Sequence, residues 1–156
     1  MPAESFETME KLGGPRVKQF SVFLENKVGA LLRVVKLLEQ HSIHVLALSI
    51  QDSSDMSIVR MIVSDPEHVT NIFRENDIAY SGCEMLVVDL PGGASELSRL
   101  LGTLLLAEVN IHFSYALLTR PNGHTALAIN PEDYDCAAYV LRAERFHLLS
   151  QTDISR

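Results

Sequence analysis

The side chains of this chain that could ligate a metal or move a proton are six histidines, two cysteines and twenty acidic residues. His41, His44, His68, His112, His124 and His147 form no HxH or HxxxH pair, and none stands beside Cys83 or Cys136 at ligand spacing. A zinc-type set needs such spacing, so no metal is expected. The two cysteines make neither a CxxC nor a disulfide framework, which fits a reducing, cytoplasmic setting. Asp52 and Asp55 form a close carboxylate pair inside Gln51-Asp52-Ser53-Ser54-Asp55, a run that reads equally well as a hairpin turn. No nucleophile stands with a base and no GxGxxG or GxxxxGKS/T loop occurs, with Gly92-Gly93 too little alone. The expectation is a chain without catalytic residues or cofactor, hence no enzyme.

Recognition chemistry is better supplied. In Asn26-Lys27-Val28-Gly29-Ala30-Leu31 a strand meets a helix. Gly29 lets a backbone or ligand come close, and Asn26 is expected to cap the helix. A helix start carries unpaired N–H groups and a partial positive charge, which together suit a carboxylate.

These residues need elements to position them. Phe20, Val22 and Leu24 alternate before the loop, and Leu31, Val34, Val35 and Leu38 follow at helical spacing. Strands are expected over Ile43–Ile50 and Ser57–Val63, joined as a hairpin, then a helix opened by Asp65-Pro66-Glu67. Strand material resumes at Ile78 and runs to Leu90, with Gly82 a break point. The order then repeats. Leu97, Leu100, Leu101 and Leu104 make a helical stripe, and Val109 to Leu117 alternates as a half-buried strand. Arg120-Pro121-Asn122-Gly123 is a hairpin turn, His124–Ile129 the returning strand, Asn130-Pro131-Glu132-Asp133 a helix start and Phe146–Ser150 the last strand. Leu31 and Leu97, Val34 and Leu100, Leu38 and Leu104 each stand 66 residues apart. A duplicated β-α-β-β-α-β unit follows. The fold class is α+β: two ferredoxin-like units, each a four-stranded antiparallel sheet with helices on one face, the pair sharing one sheet or packing closely. The expected organisation is a polar arm over 1–15, a first domain over 16–82 and a second over 83–156.

The 156 residues carry a formal net charge of −7, with 47% hydrophobic and 21% charged residues. That composition can bury a core and argues against a general nucleic-acid binder, which needs clustered Lys and Arg. No apolar run reaches membrane-spanning length, since Glu108 and Asn110 interrupt the one after Leu104.

The loop Glu25 to Leu31, Ser42-Ile43-His44-Val45 and Glu108-Val109-Asn110-Ile111 resemble the signature positions of ACT domains. Ile50 to Asp55, Val59-Arg60-Met61-Ile62-Val63 and Phe146 to Ser150 are similar to small proteins made of two ACT modules, over about Arg16 to Ile154. Val28 replaces the usual Pro of the first loop. In the second loop Gly92 replaces an acidic residue or Asn, and Ser95 stands where the first loop has Gly29. The resemblance implies a regulatory protein that binds a small ligand, a free amino acid, between modules. Asn26, Lys27, Val28, Gly29, Ala30 and Leu31 would face Asn110 and Ile111. As a secondary site, Pro91, Gly92 and Gly93 would face His44 and Val45, with Asp52 and Asp55 further candidates. It implies a regulated enzyme partner, while free strand edges and the apolar helix face Leu104-Leu105-Leu106 predict a homodimer. The competing reading is a structural, partner-binding dimerisation module without a ligand.

Overall fold

The computed structural model describes residues 14–25 and 27–156. The arm expected over 1–15 lies outside the described residues except for its last two. There, the Pro15 carbonyl accepts from Gln151 N–H at 2.9 Å.

Alternation and capping account for the elements. Strand β1, Val17–Glu25, is followed by helix α1, Ala30–Gln40, and by strands β2, Val45–Asp52, and β3, Met56–Val63. Helix α2, Pro66–Glu75, starts where Asp65 accepts from the His68 N–H at 3.2 Å. Strand β4, Tyr80–Leu90, runs unbroken through Gly82. The second half has α3, Leu97–Leu106, β5, Ile111–Ala116, and β6, Thr125–Pro131. Helix α4, Tyr134–Ala143, is capped by Asp133, so Asn130 and Pro131 end a strand rather than open a helix. Strand β7, His147–Leu149, and a short α5, Gln151–Ile154, close the chain. The repeat extends to backbone strain. Ser42 and Glu108, just past α1 and α3, take left-handed φ values of 58° and 56°, and Asp77 and Arg145 do the same past α2 and α4.

Two separate four-stranded sheets do not form. All seven strands join one antiparallel sheet in the order β2-β3-β1-β4-β6-β5, with β7 also on β4. The cause is β4. Its Tyr80–Met85 stretch pairs with β1, while Leu86–Leu90 pairs with β6 and Val87–Asp89 with β7. One strand therefore ends the first unit and begins the second. The sheet curls until its edges touch, through a bridge between Ala47 and Leu117 and a 2.7 Å bond from Leu118 N–H to the Leu46 carbonyl.

Strand alternation divides the apolar residues between the two faces. On the outer face Phe20, Val22, Val59 and Met61 pack with α1 and α2, and Leu86, Val88 and Ile129 with α3 and α4. All four long helices thus lie on one face. On the inner face Val17, Ile62, Met85, Val87, Ala128 and Leu149 make a third core from both halves. Gln151 ties the halves further: its Nε2 donates to the Val63 carbonyl at 2.9 Å and its Oε1 accepts from Lys18 N–H at 3.2 Å. Arg16 donates to Glu84 and Asp135, each at 2.8 Å, and its guanidinium stacks 4.0 Å over the Tyr134 ring.

A shared strand and a shared core predict one cooperative transition. Leu38→Ala in the first unit and Leu141→Ala in the second, both fully buried, should each cost about 2–5 kcal/mol and lower the same calorimetric peak. Two peaks, each moved by only one substitution, would contradict this.

Candidate ligand-binding site

The first loop forms a tight turn in which Lys27 N–H bonds the Glu25 carbonyl at 2.7 Å and Ala30 N–H the Lys27 carbonyl at 3.2 Å. The Lys27 ammonium pairs with Glu25 at 2.7 Å, which holds that carboxyl below its ordinary value. Asn26, the expected cap, lies outside the described residues. Gly29 occupies the N-cap position of α1 with φ 90°, a conformation that only glycine adopts freely. A Cβ there would meet nothing within 4 Å, so the helix start is open. Arg33 N–H returns to the Gly29 carbonyl, but among the described residues nothing accepts from the N–H groups of Leu31 and Leu32. Val28 is fully exposed beside them.

The second loop is built differently. Gly92 N–H donates to the Glu96 carboxylate at 2.6 Å, Ser95 Oγ to the Gly92 carbonyl at 2.8 Å, and Arg99 to Glu96 at 3.0 Å. The Gly92 N–H, then Arg99, hold the Glu96 carboxyl below its usual range. This loop carries its own carboxylate at its backbone donor, where the first loop has open space. Pro91 is exposed, and Gly93 takes φ 62° at the start of a short 3-10 turn.

The remaining expected residues fall as follows. The Asn110 side chain donates to Glu132 in its own unit at 3.1 Å, and half-buried Ile111 begins β5. His44 N–H donates to Ser64 Oγ and the His44 carbonyl accepts from Ser64 N–H, each at 3.0 Å, and both His44 and Val45 line a cleft of about 530 Å³ with Val35, Glu39 and Thr119. Asp52 and Asp55 make no pair with each other: Asp52 accepts from Ser57 Oγ at 2.6 Å at the end of β2.

Strand direction relates the first loop to β5. β1 and β2 both run antiparallel to β3, so α1 returns against them. The Ala47–Leu117 bridge sets β5 antiparallel to β2. α1 and β5 therefore begin at the same end of the sheet, where β2 and β5 have splayed apart from their single bridge.

Within the curl stands a polar group that pattern reading overlooks. Gln19, almost fully buried, accepts a short hydrogen bond from Tyr115 OH and donates to Cys83 Sγ at 3.2 Å and Ser21 Oγ at 3.3 Å. Burial pushes both the Cys83 thiol and the Tyr115 phenol up from their ordinary values. Gln19 follows Val17 by two on the face opposite Phe20 and Val22, a polar residue in an inner strand position, and that was its only signal.

A tandem βαββαβ sheet with one open and one self-filled loop defines the class of protein. A family model described as an ACT domain pair matches residues 16–156, and the chain belongs to that family. Among solved structures, protein BT0572 from Bacteroides thetaiotaomicron is similar at TM-score 0.84 and 30% identity, covering 92% of this chain and 99% of that one. The regulatory subunit of aspartate kinase from Thermus thermophilus shares the fold at TM-score 0.57 and 12% identity, over 86% of this chain and 93% of that one. That from Thermus flavus gives TM-score 0.56 and 13% identity, over 84% and 92%. No curated protein matches the chain. Among the described residues no helix is long and apolar enough to cross a membrane.

The internal carboxylate of the second loop makes a pH prediction. Glu96 is lowered, so its bond to Gly92 is present above the ordinary glutamate value and lost as pH falls through the lowered one. The Gly92 amide proton should titrate with a midpoint below the ordinary glutamate value. Glu96→Gln should remove that titration in a two-dimensional amide spectrum; a midpoint at or above the ordinary value would contradict the bond.

Proposed function

We propose that this chain is a regulatory amino-acid-binding protein of two modules, 16–82 and 83–156, joined through β4. The observation that carries the reading is the open start of α1: Gly29 with free space where a side chain would be, and N–H groups without described acceptors, at the end of the sheet where β5 also begins. Backbone donors and the helix dipole suit a carboxylate. Asn26 and Asn110 supply donors and acceptors for the rest of a zwitterion, once Asn110 leaves Glu132. Family membership supports a small ligand. The Thermus neighbours are named as regulatory subunits of aspartate kinase, and we carry over the regulatory role alone, exerted on an enzyme partner in the cytoplasm. Ligand binding across the splayed β2–β5 seam would favour one packing of the two modules, and that packing is what a partner would read.

Calorimetry against the twenty amino acids tests this. Gly29→Asn adds a side chain at the helix start while tolerating its left-handed backbone, and should weaken binding at least tenfold. Asn110→Ala should weaken it by about 0.5–1.5 kcal/mol. Binding that neither substitution changes would put the ligand elsewhere, with Pro91, Gly92, Gly93, His44 and Val45 the next place to test.

A homodimer belongs to the same proposal, and the apolar flank of α3 favours it. Leu101, Leu105 and Leu106 are 46%, 76% and 89% exposed, with Leu101 and Leu105 one turn apart on the same side of the helix. A structural dimerisation module would rest on this stripe alone. Light scattering should give a dimer mass at micromolar concentration, and Leu105→Glu should halve it. A wild-type monomer would remove this part of the reading.

A further inference from the structure

Arg60 projects from the inner face of β3, opposite Ser21 on β1 and Ser49 on β2. Its guanidinium lies over the Phe113 ring of β5, 4.1 Å from the centroid, and Nη1 donates to Gln51 Oε1 at 3.0 Å. The two contacts fix the plane of the group across the seam where β2 and β5 part. Its other edge is unspent. Among the described residues Nε and Nη2 have no acceptor and no carboxylate lies within 4.0 Å of the group. Among the described residues no side-chain nitrogen sealed from solvent lacks a partner, so these N–H groups are accessible to solvent. That edge presents two parallel donors, the geometry that grips a carboxylate in a fork.

An apolar surface lies beside it. β1–β3 register sets Phe23 opposite Ile58 and Glu25 opposite Met56, on the same face as Arg60. Phe23 and Ile58 are half-buried yet join none of the three cores, and Met56 is exposed. The second unit differs at the matching place. Sixty-six residues on from Phe23 stands Asp89, buried and paired with His124 Nδ1 at 3.1 Å. The acid on the Arg60 face, Glu25, is already tied to Lys27 at 2.7 Å. An uncompensated cation beside an unused apolar strip, in a chain of net charge −7, is a combination that an anion with an apolar body completes.

We propose that the inner face at the open end of the curl is a second ligand site, which takes a small monocarboxylate with an apolar body. Arg60 Nε and Nη2 hold the carboxylate, and Phe23, Ile58 and Met56 receive the body. Among the described residues no carboxylate is free there to take an ammonium, so the site favours acids without an amino group. It is separate from the α1 start, which lies on the helical side of the sheet.

The test follows the Arg60 side-chain Nε–H resonance, assigned through bonds in the wild-type protein, at constant ionic strength. Titration with phenylacetate or isovalerate should shift it saturably. Acetate, with no apolar body, should bind at least tenfold more weakly. Arg60→Lys keeps the charge and loses the fork, so it should weaken phenylacetate at least tenfold while the amide spectrum stays folded. Gly29→Asn should leave phenylacetate binding unchanged, which separates this site from the amino-acid site. The proposal is overturned by an unsaturable shift shared with the other arginines, by inorganic phosphate shifting Arg60 where phenylacetate does not, or by a folded Arg60→Lys that still binds. Should that variant fail to fold, the wild-type titration decides alone.

Discussion

A strand has two faces and two edges, and β4 commits all four. Its edges carry β1 along one half and β6 and β7 along the other. Its faces alternate between the inner core, through Met85 and Val87, and the outer core, through Leu86 and Val88. Every buried backbone group along it needs a partner, so neither unit can complete its sheet without the other. The curl, the inner core and the meeting of Ala47 with Leu117 follow from that sharing.

The two halves have since diverged in what they leave open. The first loop keeps glycine at the helix start and leaves its space empty, whereas the second fills its backbone donor with Glu96. The inner face diverges in the same sense: Asp89 and His124 satisfy one another in the second half, while Arg60 in the first keeps an unspent edge. Both asymmetries place recognition chemistry in the first half and self-sufficiency in the second. A duplicated fold can thus keep one scaffold in both copies and differ in which donors each leaves unpaired.

Much of this is legible in the residue order. The 66-residue offset, the apolar stripes and the Asp65 cap are local patterns, and local patterns survive into the fold. Strand material from Ile78 to Leu90 is legible in the sequence, but Gly82 reads as a break point and is not one, because its backbone is extended and paired with Phe20. What escapes the sequence depends on pairings between distant residues. Nothing in the run Ile111 to Ala116 announces that its edge curls round to β2, or that Phe113 will lie under Arg60. Asn110 is expected from the resemblance to face the first loop, yet folding brings its side chain to Glu132, 22 positions on. Asn130 and Pro131 read as a helix start because Pro suits a first turn, but Asp133 offers a cap aligned with α4 and the strand runs on.

The continuity of β4 also sets what lengths the chain can tolerate. An extra residue near Met85 and Leu86 would turn every later side chain of the strand to the opposite face, sending Val88 inward and Asp89 onto the helices. Two extra residues would restore the faces but carry the second unit about 7 Å along the strand, pulling Leu117 from Ala47. The junction between the modules is therefore the part of the molecule where insertions and deletions are least admissible, although junctions between domains are ordinarily where chains vary most in length.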